Sequence, residues 1–155
     1  MKTTAQKIQK GFTLIELLVV IGILAILLSI TLVAINPAKQ FASAHDAKRQ
    51  ADVSQILSSI NQYMVDNQGI APAAITTTPQ SIANTGANLC ALLSPKYIAQ
   101  LPSDPTTGAP ASQVPPSSCA TYNTGYTVSL ATGSAARITV SAIAETAGTV
   151  ISVSR

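Results

Sequence analysis

Residues 11 to 35 form an apolar run, Gly11-Phe12-Thr13-Leu14-Ile15-Glu16-Leu17-Leu18-Val19-Val20 and on through Ile35, broken by a single carboxylate. From Leu17 to Ile35 the run is nineteen residues long, about 28 Å as a helix, which matches the hydrocarbon core of a bilayer. A stretch of this length and character reads as a membrane span. The exception within it is Glu16, because an ionised Glu inside a hydrocarbon layer costs about 2 to 4 kcal/mol and therefore implies a partner. Its spacing from Gly11 indicates which one. If a protease cuts after Gly11, Phe12 carries a new α-amine, largely protonated at neutral pH, and Glu16 can pair with the amine of a neighbouring copy.

The segment Lys10-Gly11-Phe12-Thr13-Leu14-Ile15-Glu16, with the basic leader residues Lys2, Lys7 and Lys10 ahead of it and the apolar run behind it, resembles the processing site of the type IV pilin superfamily. That superfamily includes pilins, pseudopilins and competence pilins. The resemblance extends over roughly residues 7 to 60 and implies that a membrane prepilin peptidase cleaves between Gly11 and Phe12 and methylates the Phe12 amine. It also implies polymerisation through the N-terminal helix, driven by an assembly ATPase and a platform protein, with Glu16 setting the register.

Basic residues precede the span, so the leader, residues 1–11, is expected to stay in the cytoplasm. Residues 12–35 then cross the membrane, and residues 36–155 form an extracytoplasmic head. That compartment permits disulfides, and Cys90 and Cys119 are the only cysteines. Their oxidation would close a loop worth roughly 3 kcal/mol.

The formal charge of +3 is carried by the leader: from Phe12 onward six basic residues face six acidic ones. A neutral product with two Phe, four Tyr and no Trp lacks the clustered cations and stacking surface of a nucleic-acid binder, which argues against nucleic acid as a partner.

At Asn36-Pro37 the all-round apolar pattern gives way to an amphipathic one. From Ala38 to residue 68 helix formers dominate, and Val53, Ile56, Leu57, Ile60 and Met64 recur at steps of three and four, giving one apolar face. The helix is expected to continue through Pro37 with a kink near residues 33 to 37, and to be capped by Gly69. Residues 70–122 read as a long loop region rich in Pro, Ser, Thr, Ala and Gly, with Pro115-Pro116 and a short helical candidate from Ile82 to Leu93, stapled by the cysteines.

From Gly125 the pattern is extended. Tyr126 to Ala131, Ala135 to Ala144 and Thr149 to Val153 read as three strands of a meander, with turns at Thr132-Gly133-Ser134 and Thr146-Ala147-Gly148. Apolar positions Tyr126, Val128, Leu130 and Ile138, Val140, Ala142 alternate, giving a face that the amphipathic helix can cover. The expected fold is therefore α+β: a long N-terminal helix packed on a small antiparallel sheet, as the resemblance to pilins also implies.

His45 is the only histidine, and the acids Asp52, Asp66, Asp104 and Glu145 are scattered along the sequence. No pairing suggests a triad, a metal site or general acid–base work, so no enzyme and no cofactor is expected. Leu101-Pro102-Ser103-Asp104-Pro105 resembles a loop that precedes the calcium-binding region of major pseudopilins, which makes Asp104 a weak candidate metal ligand.

A competing reading takes Ala42-Ser43-Ala44 as a signal-peptidase site that releases a soluble binding module beginning at His45. Its apolar segment would be longer than a usual signal sequence and would contain Glu16. A plain membrane-anchored head is a further alternative. The expected function is a structural filament subunit, on the cell surface as a pilus or in the periplasm as the pseudopilus of a type II secretion system.

Overall fold

The computed structural model describes residues 11–108, 119–131 and 137–155. The leader lysines, Pro115-Pro116 and the expected turn at Thr132-Gly133-Ser134 lie outside them. The chain divides into two compact units, Met1–Gln40 and Phe41–Arg155.

In the first unit, helix α1 runs from Leu14 to Ile35 and has no buried residue. It is the one helix among the described residues long and apolar enough to cross a membrane. Its two hydroxyls are turned back on its own backbone: Ser29 Oγ donates to Ala25 O at 2.8 Å and Thr31 Oγ1 to Leu28 O at 2.9 Å. In a lipid environment that arrangement leaves neither hydroxyl without a partner.

The expected continuous helix is interrupted. Asn36 adopts the left-handed conformation, φ 45° and ψ 79°, and ends α1; helix α2 then begins at Pro37 and runs to Asp66. Asn tolerates this conformation better than most residues, and Pro is well suited to a first helical position because its missing N–H has no helical acceptor there. Pro37 thus starts a second helix instead of kinking one. At the far end, Gln68 (φ 57°) takes the first left-handed position and Gly69 (φ 84°) the second. The Gly69 N–H then reaches back to Met64 O at 2.7 Å, closing the helix in the manner of a Schellman motif.

The second unit is a four-stranded antiparallel sheet in the order β1-β2-β3-β4, covered on one face by α2. The strands are β1 Gln80–Ala83, β2 Asn123–Leu130, β3 Ile138–Ile143 and β4 Val150–Ser154. Val128 stands opposite Val140, and Val140 opposite Val153. The period-two alternation holds, with Tyr126, Val128, Ile138, Val140 and Ala142 all buried and Leu130 partly so. Against them lie Val53, Ile56, Leu57 and Ile60 of α2, each at most 3% exposed, with Met64 at the margin. The chain is α+β with a pilin-like sequence of elements: a long apolar helix, then a small antiparallel sheet.

Two expectations about residues 70–122 need correction. The sheet has a fourth strand, β1, within the stretch read as loop and short helix, and the helical candidate shrinks to a single turn, α3, at Cys90–Leu93. β1 exists because β2 offers it partners: Gln80 lies opposite Val128 and Ser81 opposite Thr127. Its four residues carry too little local preference to declare a strand alone.

The cysteines are joined. Cys90 and Cys119 form a disulfide with Cα atoms 5.6 Å apart, tying α3 to the approach to β2. Beside it, the buried Tyr122 hydroxyl accepts from the Leu89 and Cys90 amides at 3.0 and 3.2 Å and donates to Asn88 at 3.0 Å. Replacing both cysteines by serine should lower the unfolding free energy by roughly 3 kcal/mol. Denaturant titration of the oxidised protein against the double variant checks this, and a difference below about 1 kcal/mol would mean that the surrounding core already holds the loop closed.

Candidate functional site

Two groups of residues bear on function, one in each unit. In the first, Gly11, Phe12 and Thr13 lie outside any helix, and the Phe12 side chain is 85% exposed. A Cβ added to Gly11 would meet nothing within 4 Å. The Gly11–Phe12 peptide bond thus lies outside the helix, between two exposed residues.

Helix α1 starts at Leu14, not at Phe12, because Thr13 caps it. Glu16 N–H donates to Thr13 Oγ1 at 3.3 Å, while the Glu16 carboxylate accepts from Thr13 N–H at 2.9 Å and from its hydroxyl at 2.8 Å. This is a complete capping box, in which two amides with no helical acceptor are satisfied reciprocally. The carboxylate that stood out in the apolar run therefore has a partner within its own chain. The pattern Thr13-x-x-Glu16 ahead of an apolar run is the sequence signal for this arrangement, and it lay inside the same residues that suggested processing.

The second group is centred on Arg49, which is 3% exposed. A guanidinium has five N–H donors, and each has an acceptor. Nε and Nη2 hold the two oxygens of Asp104; Nη2 also reaches Thr106 Oγ1 at 2.7 Å; Nη1 reaches Asp46 at 2.9 Å and Glu145 at 3.4 Å. Acids that look scattered in sequence are thus gathered on one cation. Asp104 Oδ1 also accepts from the Thr106 and Thr107 amides at 2.8 and 2.9 Å and from the Thr106 hydroxyl at 2.9 Å.

Burial pushes the Asp104 carboxyl up, but the Arg49 guanidinium and the two threonine amides outweigh it and hold it below the usual carboxylate range. Asp104, the sequence's candidate metal ligand, is therefore already neutralised by a side chain. The described residues contain no group of three or more His, Cys, Asp or Glu that could hold a metal ion.

Asp46 completes the cluster by gripping the β3–β4 turn. It accepts from the Glu145 amide at 2.7 Å, from the Thr146 amide at 3.0 Å and from the Thr146 hydroxyl, and the Thr146 hydroxyl and Glu145 amide keep its carboxyl well below the ordinary range. His45, the only histidine, bonds through Nδ1 to Glu145 at 2.8 Å.

One turn further along α2, Asp52 accepts from the buried Tyr126 hydroxyl at 2.7 Å and from Lys48 at 2.8 Å. The 104–108 turn sits flush on β2 because of Gly125, whose φ is +78°. A Cβ there would come within 2.7 Å of the Asp104 Cβ. The arrangement is a clasp that joins helix, turn and sheet, and nothing in it presents a nucleophile or an open coordination site.

In a comparison with known protein families, residues 6–32 match the model of the prokaryotic N-terminal methylation motif. No curated protein and no solved structure matches the chain. The matched stretch spans the Gly11–Phe12 bond, the Thr13–Glu16 capping box and most of α1, so this chain carries the N-terminal signature of the type IV pilins and pseudopilins.

Proposed function

We propose that the chain is the structural subunit of a type IV pilus-like filament. It enters the cytoplasmic membrane as a single-pass precursor with its N-terminus in the cytoplasm. A prepilin peptidase cleaves it after Gly11 and methylates Phe12, and assembly ATPase and platform proteins build it into an extracellular filament through α1. The observation that carries this reading is the coincidence of the methylation motif with a helix of 22 apolar-rich residues, none of them buried within the chain. Such a surface needs lipid in the precursor and other copies of α1 in the product.

A second reading, the major pseudopilin of a type II secretion system, shares every N-terminal feature. The pilus is favoured by Arg49, which occupies both oxygens of Asp104, the one carboxylate in the loop that resembles the one preceding a calcium-binding region. Filaments on the cell surface support the pilus, whereas short periplasmic assemblies support the pseudopilus.

The N-terminal residue and intact mass of the protein from its native host test the processing step. The expected product begins at Phe12 and carries one added methyl group. A chain beginning at His45 would make it a secreted soluble protein, and one beginning at Met1 a plain membrane anchor; either outcome removes the proposed filament.

A further inference from the structure

Beyond the Arg49 clasp, the head carries a groove of about 500 Å³ between the C-terminal half of α2, the Lys96-Tyr97 loop and Arg155. Arg155 follows β4, and its backbone N–H and C=O both pair with Ile138. Residues opposite each other in an antiparallel ladder project from the same face. Ile138 is fully buried against the α2 layer, so the Arg155 side chain rises on that layer's side, at the sheet edge. Its guanidinium has no hydrogen-bond or ion-pair partner among the described residues.

The facing surface of α2 is polar. Ser58, Gln62 and Asp66 fall four residues apart, and with Asn61 they line the groove. Asn61 Nδ2 is enclosed and has no hydrogen-bond partner among the described residues, which is unusual for a buried donor, and Asn61 lines the groove. The opposite wall is fixed. Lys96 Nζ donates to Asp66 at 2.7 Å and to the Tyr97 hydroxyl at 2.8 Å, and that hydroxyl donates to Asp66 at 2.9 Å. The Tyr97 ring is braced edge-on against Tyr63 at 5.8 Å.

The groove therefore offers an unpaired guanidinium, an unsatisfied amide donor, a rank of hydroxyl and amide groups, and apolar contact from Val65 and the Tyr97 ring. Its side chains sum to one net positive charge, Lys96 and Arg155 against Asp66. A guanidinium fits a carboxylate in a bidentate fork. Amides and hydroxyls suit the hydroxyls of a sugar ring, and the volume lies within the range of small-molecule sites. We propose that this groove is a receptor site for carboxylate-bearing saccharides of the uronic-acid type, with Arg155 holding the carboxylate and Asn61 and Gln62 the ring hydroxyls.

Titration of the full-length protein in detergent micelles with trigalacturonate, followed by amide NMR, tests the site. Saturable binding is expected, with shifts confined to residues around Asn61, Gln62, Lys96 and Arg155. Arg155→Gln should weaken it about tenfold or more, the effect of losing a charge-assisted pair. Arg137→Gln removes the same charge from a residue outside the groove and should change affinity by less than about twofold. Asn61→Ala gives a second, milder loss that does not depend on charge.

A neutral trisaccharide should bind about tenfold more weakly. Absence of saturation, equal losses in the Arg155 and Arg137 variants, or tighter binding of an acidic peptide would each overturn the assignment. Filament assembly does not enter the readout, so this result is independent of the role proposed for α1.

Discussion

Replacing Arg49 by methionine should destabilise the head by about 3 to 5 kcal/mol, the cost of breaking a buried ion pair by removing one partner. The size follows from what is left behind. Asp104 is 5% exposed and would lose the guanidinium from both oxygens, keeping only the Thr106 and Thr107 donors. Asp46 and Glu145 would lose their shared cation. Against a typical total stability of about 5 to 15 kcal/mol, that loss is large. Denaturant unfolding of the full-length protein in detergent measures it. A change under about 1 kcal/mol would place the cluster with ordinary surface ion pairs.

The double variant Arg49→Met with Asp104→Asn separates the pair from its surroundings. It should be less destabilised than the sum of the single variants, because the second change removes the stranded charge. Its pH dependence follows from the same chemistry. In the native protein the Asp104 carboxyl is held below its ordinary value, so the stability it contributes is present above the unfolded carboxylate pKa of about 3.9 and is lost only as pH falls through the lower folded value.

Without Arg49, the largest influence holding the Asp104 carboxyl down is gone, and its folded pKa rises from the native value. The stability lost with Arg49 is fully missing above the variant's folded value, and less of it is missing as pH falls and the carboxyl takes up its proton. The gap between wild type and Arg49→Met should therefore be widest near neutrality and should narrow in acid.

The parts of the fold that were legible in sequence are those set by a local period. The apolar face at Val53, Ile56, Leu57 and Ile60 and the alternation along β2 and β3 are such periods, and burial follows them closely. β1 was not legible, because four residues of mixed character become a strand only when β2 supplies the ladder. The break at Asn36 was half legible: Pro37 announced a disturbance, but the asparagine conformation that turns a kink into two helices is a backbone choice made locally.

The Arg49 clasp had almost no sequence signal. Apart from Asp46, three residues before it, its partners lie 55 to 96 residues away, and no motif links them. The capping box is the opposite case, since Thr13 and Glu16 sit three apart in plain view. Its signal is overlaid by a second one from the same residue, since a carboxylate in an apolar run points to a charge partner as readily as to a cap.

That capping box shapes the last expectation. Glu16→Ala and Glu16→Gln should both insert in the membrane and both be cleaved after Gly11, yet both should yield at least about tenfold fewer filaments, the scale set by losing a charge-assisted hydrogen bond of about 1.5 to 3 kcal/mol. The two variants differ in what they keep. Glutamine serves at the third position of a capping box as glutamate does, so Glu16→Gln retains the bonds to Thr13 and loses only the charge, whereas Glu16→Ala loses both.

In the single chain the Glu16 carboxylate is satisfied by Thr13. In the filament the proposed partner is the amine of a neighbouring Phe12, and exchange of one for the other would couple leaving the membrane to docking. Counting filaments by electron microscopy, alongside N-terminal sequencing of the membrane-bound pool, decides between the roles. Normal filaments from Glu16→Gln with none from Glu16→Ala would assign the residue to starting α1 correctly, and normal filaments from both would remove Glu16 from assembly altogether.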